Sequence, residues 1–178
     1  MQYISHFSSP LGELLISSDE AGLTGLWFAG QRYFASTLRA EYEENTTPLL
    51  QETKEWLTLY FSGRDPRFTP PLHLLGSPFR LRVWELLLSV PYGETVTYGE
   101  LARRLSVLHG TNVSARAVGG AVGHNPISLV VPCHRVLGAK GSLTGYAGGT
   151  ERKAALLRLE GTETAFPCAF IRNPSRTL

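Results

Sequence analysis

The sequence predicts an α+β fold, in which a small N-terminal antiparallel sheet with helices is followed by a mostly helical C-terminal unit. Three observations lead there. Short apolar segments punctuated by turn residues fill the first 30 positions, and helix-capping signals recur after residue 76. Between the two patterns, residues 63–78 carry four prolines and two glycines, as suits a connection crossing the surface. A chain of 178 residues has room for one domain or two small ones. The expected units are therefore 1–76 and 77–178.

Gln2 to Phe7, Leu11 to Ser17 and Leu23 to Phe28 read as three strands of a meander, joined by Ser9-Pro10-Leu11-Gly12 and Asp19-Glu20-Ala21-Gly22. A helix is predicted over about Arg32 to Glu44. A second is predicted over Pro48 to Ser62, where Leu50, Trp56, Leu57, Tyr60 and Phe61 recur at helical spacing. In the second unit Ser77-Pro78 supplies an N-cap and a first-turn proline, and Phe79, Val83, Leu86, Leu87 and Val90 form one apolar face up to Pro91. Thr97-Tyr98-Gly99-Glu100 is a capping box that opens a helix through about Leu105. Ser114 caps another, Ala115 to about His124, which Asn125-Pro126 ends. Two short helices joined by a loop suggest a helix-turn-helix. Ile127 to Val131 reads as a buried strand leading into Pro132-Cys133-His134-Arg135. A last helix runs from about Thr150 to Glu160, with Gly161 placed to close it.

Composition excludes several classes. No apolar run approaches the roughly 18 residues that cross a bilayer, and Met1 to His6 has no signal-peptide pattern, so the expectation is a protein of the cell interior with no membrane partner. Two cysteines, Cys133 and Cys168, are too few for a disulfide scaffold or a thiolate-rich zinc cluster, and both are expected as free thiols. Charge is segregated: residues 1–63 carry three basic and eight acidic side chains, the remainder fourteen and seven. A basic second half suits a polyanionic partner or a solvated surface without one.

Cys133 is the nucleophile candidate, because it sits where a rigid segment meets a turn. Its neighbours His134 and Arg135 are of the kind that lower a thiol pKa; equally, free cysteines are commonly inert and buried. A direct dyad between adjacent residues is awkward, so a water between thiol and imidazole is easier. Glu160 can orient that imidazole, since an acid is misplaced at a helix C-terminus unless it has a specific partner. Arg116 lies in the first turn of a helix paved with alanine and glycine. Three helical glycines cost about 1 kcal/mol each, which either tight helix packing or close approach to a nucleic acid would offset.

Pro132-Cys133-His134-Arg135-Val136 resembles the signature of the O6-alkylguanine-DNA alkyltransferases. So do Phe79 with Val83-Trp84, Pro91-Tyr92-Gly93-Glu94-Thr95, Tyr98-Gly99-Glu100-Leu101-Ala102, Ala115-Arg116-Ala117-Val118-Gly119, Asn125-Pro126, Gly145-Tyr146 with Gly148-Gly149, and Leu159-Glu160-Gly161, all in the family's order. The resemblance is strong over residues 77–161 and in outline over the N-terminal unit. It implies a ribonuclease-H-like N-terminal domain and a C-terminal domain whose winged helix-turn-helix docks in the minor groove of double-stranded DNA. The lesion base is flipped out of the stack, where a thiol can reach it, and the alkyl group passes irreversibly to Cys133 in a single turnover. The implied roles are His134 as base through a water, Glu160 holding the imidazole, Asn125 bracing the preceding turn, and Tyr98 donating to the departing guanine. Arg116 would replace the extruded nucleotide, with Thr97, Tyr98, Ala115, Ala117 and Gly119 against the DNA. Val122, Val136, Tyr146 and Ala147 would line the base pocket.

The resemblance further implies O6-methylguanine as chief substrate, O4-methylthymine as a second, no cofactor and no metal. It also implies a monomer with cooperative assembly on DNA left open, and a cytoplasmic, nucleoid-associated location in a prokaryote. Two departures stand out: the Leu105 to Ser114 connection is longer than usual, and Ser128 replaces a proline that shapes the pocket for bulky adducts in some relatives. A lesion-binding protein without transfer and a cysteine hydrolase are the rival classes; Cys133 itself argues against the first, the Arg116 helix and the basic second half against the second.

Overall fold

Three strands, β1 (Gln2–Ser9), β2 (Gly12–Ser18) and β3 (Leu23–Phe28), form an antiparallel meander in the computed structural model, which describes residues 1–162. Cys168 and the end of the 77–178 unit lie outside the described residues. The first turn is tight because Gly12 adopts φ +120°, and Ser9 Oγ both accepts from the Leu11 N–H and donates to the Gly12 carbonyl. Leu14 and Ile16 of β2 point into the main core, whereas Leu15, with Ile4 and Trp27, faces the opposite side under Ala35 and Leu38.

The helix expected over Arg32 to Glu44 is absent. Residues 30–40 form turns, and β4 (Tyr42–Glu44) pairs in parallel with the free edge of β1, giving the order β3-β2-β1-β4. Tertiary hydrogen bonds outcompete the helical ones here. The buried Gln2 amide holds Thr37 O and the Arg39 N–H, Thr37 Oγ1 donates to Thr24 O, and Tyr33 and Ala35 take φ values of +58° and +55°. Helix α1 (Pro48–Phe61), capped by Thr47, buries Leu50, Thr53, Trp56, Leu57 and Tyr60.

Helix α2 (Pro78–Leu87) starts at its Ser77 cap but unwinds before Pro91, because Ser89 and Val90 turn back onto the carbonyls of Leu86 and Leu87. Trp84 is fully buried and its indole donates to Ala121 O at 2.8 Å, tying α2 to the helix that contains Ala121. That helix, α4 (Ala115–Gly123), follows α3 (Tyr98–His109), which runs a turn beyond Leu105 and closes on Gly110 at φ +64°. Two short parallel strands, β5 (Val96–Thr97) and β6 (Val136–Leu137), bring the start of α3 beside the segment after Cys133. Helix α5 (Thr150–Leu159) ends at Gly161, φ +71°.

Residues 127–131 are buried, as read, but they form no strand. Ile127 alone bridges to β3, through Leu26 N to Pro126 O and Ser128 N to Leu26 O, and Leu129 then turns at φ +71°. One core cluster runs from Leu14 and Trp56 through Trp84 and Val118 to Val136 and Leu156. The Cys133 segment is therefore clamped between the sheet and the helices. No helix among the described residues is long and apolar enough to cross a membrane.

Candidate active site

Cys133, His134 and Arg135 form a single 3-10 turn, and all three are buried. The turn is held from behind by Asn125. Its Oδ1 accepts from the Ile127 N–H, and its Nδ2 donates to the carbonyls of Val131 and Ile127, so the chain leaves α4 and reaches Cys133 with its backbone groups paired.

Glu160, the residue just past α5, meets this turn. Its Oε1 accepts from His134 Nε2 at 2.6 Å, from the Tyr60 hydroxyl at 2.7 Å and from Arg135 Nη2 at 3.0 Å; its Oε2 accepts from Arg135 Nε at 2.9 Å and the Gly93 N–H at 3.1 Å. Burial pushes this carboxyl up, but the hydrogen bonds and charges of His134 and Arg135 more than reverse it, holding it well below the usual carboxylate range. An ionised Glu160 fixes the tautomer of His134. The hydrogen sits on Nε2, and Nδ1 is left as a lone pair, buried and without a hydrogen-bond partner among the described residues. Burial also pushes the imidazole below its ordinary value, against the pull of Glu160, so it rests neutral.

The guanidinium of Arg135 does not activate the thiol. It is committed to Glu160 and to the Val90 carbonyl at 2.7 Å, and burial raises Cys133 above the ordinary thiol value, against Asn125 and the Lys153 charge. The resting group is a thiol, contrary to the expectation of a lowered pKa, because full burial outweighs the cations near it. Lys153 comes from the inner face of α5, donates to the Val136 carbonyl, and is pushed down to about 8 by burial, partly offset by Cys133.

A groove of about 540 Å³ runs between the starts of α3 and α4 and the loop before α5, lined by Thr97, Tyr98, Gly99, Ala115, Arg116, Gly119, Ala139, Thr144 and Gly145. The Tyr98 hydroxyl donates to Thr144 O at 3.1 Å, and burial with the nearby Cys133 pushes it up to about 12. Arg116 is exposed in the first turn of α4, whose N-cap Ser114 accepts from the Ala117 N–H. Tight packing does not explain the glycines of this helix: a Cβ added at Gly120 or Gly123 meets nothing within 4 Å, and one at Gly119 only touches Tyr98 at 3.8 Å. Ala115, Arg116, Ala117 and Gly120 form an exposed surface.

Val122 and Val136 are buried beside the turn, while Tyr146 and Ala147 lie half-buried in the loop before α5. The Tyr146 hydroxyl is buried without a partner among the described residues, and burial, with Cys133 nearby, pushes it well above its usual value. The Val136 carbonyl accepts from Lys153 Nζ and the Ala147 carbonyl from the Arg32 N–H, and a carbonyl oxygen carries two lone pairs. Ser128 Oγ donates to Gln31 Oε1 at 3.3 Å rather than facing solvent. The 105–114 connection extends α3 and is pinned where Ser106 Oγ accepts from the Val113 N–H.

Sequence reasoning missed Tyr60, Lys153 and the carboxylate-binding role of Arg135. Lys153 was detectable in principle: Lys153, Leu156, Leu157 and Glu160 share the inward stripe of α5, and a lysine on such a stripe needs a reason. Tyr60 carried no separate signal, because its spacing equals that of any core aromatic. Among the described residues no group of three or more His, Cys, Asp or Glu could hold a metal ion.

Two family models match separate stretches of the chain. Residues 78–162 match the family model for the 6-O-methylguanine DNA methyltransferase DNA binding domain, and residues 2–74 the model for its ribonuclease-like domain. The methylated-DNA--protein-cysteine methyltransferase of Mycolicibacterium paratuberculosis is 46% identical, covering 85% of this chain and 88% of that protein. The crystal structure of the Mycobacterium tuberculosis O6-methylguanine methyltransferase superposes with a TM-score of 0.78 at 41% identity, covering 93% of this chain and 97% of that one. The Mycobacterium tuberculosis OGT solved in complex with DNA gives 0.77 at 43% identity, over 89% and 92%.

Proposed function

The chain belongs to the 6-O-methylguanine DNA methyltransferase family, and from that premise we propose that Cys133 is the residue onto which it takes the alkyl group. It is a DNA repair protein that transfers an alkyl group from DNA to a cysteine of its own. Residues 1–76 act as a supporting domain and 77–178 as the DNA-binding, alkyl-accepting one.

The observation that carries the assignment is the polarity of His134, with Nε2–H locked on Glu160 at 2.6 Å and Nδ1 bare on the other side. The Cys133 proton passes to Nδ1 through a bridging water. The thiolate attacks the alkyl carbon, a C–S bond forms, and the C–O bond breaks with its electron pair left on the guanine oxygen. The Tyr98 hydroxyl gives its proton to the departing base, and the proton held by His134 returns to the phenol through solvent. The imidazolium is stabilised by an ionised Glu160 for as long as it exists. Burial keeps the resting thiol protonated, so the nucleophile forms only with substrate present, and the Lys153 cation favours the thiolate. A thioether is not hydrolysed under these conditions, so each molecule repairs one lesion.

A base within the duplex cannot reach a buried thiol, hence the nucleotide is flipped. Helix α4 enters the minor groove, where its exposed alanines and glycine permit close approach. Arg116 fills the vacated position in the stack, and Thr97, Tyr98, Ala115, Ala117 and Gly119 contact the DNA. Val122, Val136, Tyr146 and Ala147 enclose the flipped base, with the remaining lone pairs on the Val136 and Ala147 carbonyls reading its edge. O6-methylguanine is the chief substrate and O4-methylthymine a second. The protein acts as a monomer on double-stranded DNA, close to the nucleoid if the cell is prokaryotic.

The test is intact mass spectrometry after incubation with a duplex containing O6-methylguanine, with Cys133→Ser alongside. One added methyl on the wild type alone supports the assignment. A bound lesion duplex with no mass gain, or methylation that persists in Cys133→Ser, overturns it.

A further inference from the structure

We propose that Tyr60, from the N-terminal helix α1, is a positioning residue of the transfer site, setting the orientation and proton affinity of His134 through Glu160. The inference rests on reading His134 as the base. Tyr60 lies 74 residues from His134 and 100 from Glu160 in sequence, yet its hydroxyl donates to Glu160 Oε1 at 2.7 Å and stands 3.3 Å from His134 Nε2. The ring cannot drift. Trp56 stacks on it at 5.2 Å and 6°, while Tyr92 and His134 meet it edge-on at 6.1 and 6.3 Å, and it is fully buried.

Oε1 is the oxygen that receives His134 Nε2–H, so Tyr60 and His134 share one acceptor. Two effects of the hydroxyl oppose each other. Donating to Oε1 draws charge from it and weakens its hold on an imidazolium; presenting its oxygen to Nε2 favours the imidazolium. The first wins, because the bond to Oε1 is short and charge-assisted, whereas Nε2–H is already committed to Glu160 at 2.6 Å. Burial and the Glu160 charge push the phenol well above its usual value, so it stays a neutral donor. The arrangement keeps the proton of the transfer on His134 and prevents Glu160 from taking it.

Among the described residues, the other titratable or charged groups around His134 and its Tyr60–Glu160 partners are Lys153 from α5, Cys133 and Arg135 on its own turn, Tyr92 beyond α2, and Tyr146 from the loop before α5. Tyr60→Phe leaves all of them and the aromatic packing in place. The expected result is that His134 protonates at higher pH than in the wild type, by about half to one unit, with the acid limb of the single-turnover transfer rate moving equally. A 3-fluorotyrosine placed at position 60 alone, a stronger donor of nearly the same shape, is expected to move both the opposite way. A merely structural role would not reverse sign.

The measurement is an NMR titration of the His134 ring in the full chain, paired with the pH dependence of methyl transfer. Opposite shifts for the two variants in the NMR titration support the proposal, and if Tyr60→Phe does not fold, a lowered His134 titration in the fluorotyrosine protein alone supports it. Unchanged His134 titration in the fluorotyrosine protein, or shifts of the same sign in both, overturns it. An NMR shift without a matching change in the rate profile supports the coupling and instead removes His134 as the base.

Discussion

Replacing Glu160 by glutamine tests the buried cage around the transfer site. Among the described residues the carboxylate accepts five hydrogen bonds, from Tyr60, His134, two nitrogens of Arg135 and the Gly93 N–H, and the last three donors cannot accept in return. An amide keeps one acceptor oxygen and turns two donors of its own onto donors. Either Gly93 and Arg135 Nε or His134 and Arg135 Nη2 lose their acceptor, and the guanidinium of Arg135, only 8% exposed, is left without the Glu160 charge. Removing one member of a buried ion pair costs about 3–5 kcal/mol, a large part of the roughly 5–15 kcal/mol that holds a protein folded. At about 2–4 °C per kcal/mol for a chain of this length, melting should fall by about 6–20 °C. Urea titration followed by the fluorescence of the buried Trp27, Trp56 and Trp84 measures it directly. A Glu160→Gln protein within about 1 kcal/mol of wild type would refute the reasoning, since that is the cost of an exposed pair.

Stability should also fall on the acid side. Glu160 and His134 both have folded values below their ordinary ones, so the unfolded chain takes up their protons first; stability is full above the ordinary histidine value of 6.5, erodes below it, and erodes more steeply below the ordinary glutamate value of 4.5. Urea midpoints across pH 4–8 check this, and a flat profile would count against the buried pair. Lys153→Met keeps the apolar stem but removes the cation that favours the thiolate, and single-turnover transfer should slow by about tenfold, one pKa unit's worth; an unchanged rate in a folded variant would dismiss the role. Gly145→Ala places a Cβ 2.7 Å from the Tyr98 hydroxyl at φ +89°. The strain of about 1–2 kcal/mol is expected to displace the loop or Tyr98, slowing transfer roughly tenfold while the melting temperature moves by only a few degrees, and equal transfer rates would contradict it.

Local chemistry made most elements legible. Serine and threonine caps at 47, 77, 97 and 114 accept the N–H groups that a helix start leaves unpaired, so helix starts could be read from neighbouring residues alone. Where long-range bonds decide, the same reading failed. Residues 32–44 have the composition of a helix, but the buried Gln2 amide and the free edge of β1 claim their backbone groups. Val90 and Leu129 likewise turn where tertiary contacts or a following proline allow, and no periodicity records that.

The candidate site divides in the same way. Cys133, His134, Glu160 and Arg116 could be singled out from residue type and local placement, and Asn125 and Tyr98 only through the resemblance of the motifs that hold them. Only the folded chain decided how they are charged. Whether Arg135 serves the thiol or Glu160 depends on which is nearer in space, and burial then raises the thiol that the adjacent cations seemed placed to lower. Tyr60 reaches Glu160 across 100 residues because α1 and α5 share one core. Sequence determines what each residue can donate, accept or carry; distance and desolvation, which belong to the tertiary structure, determine which of those capacities is used.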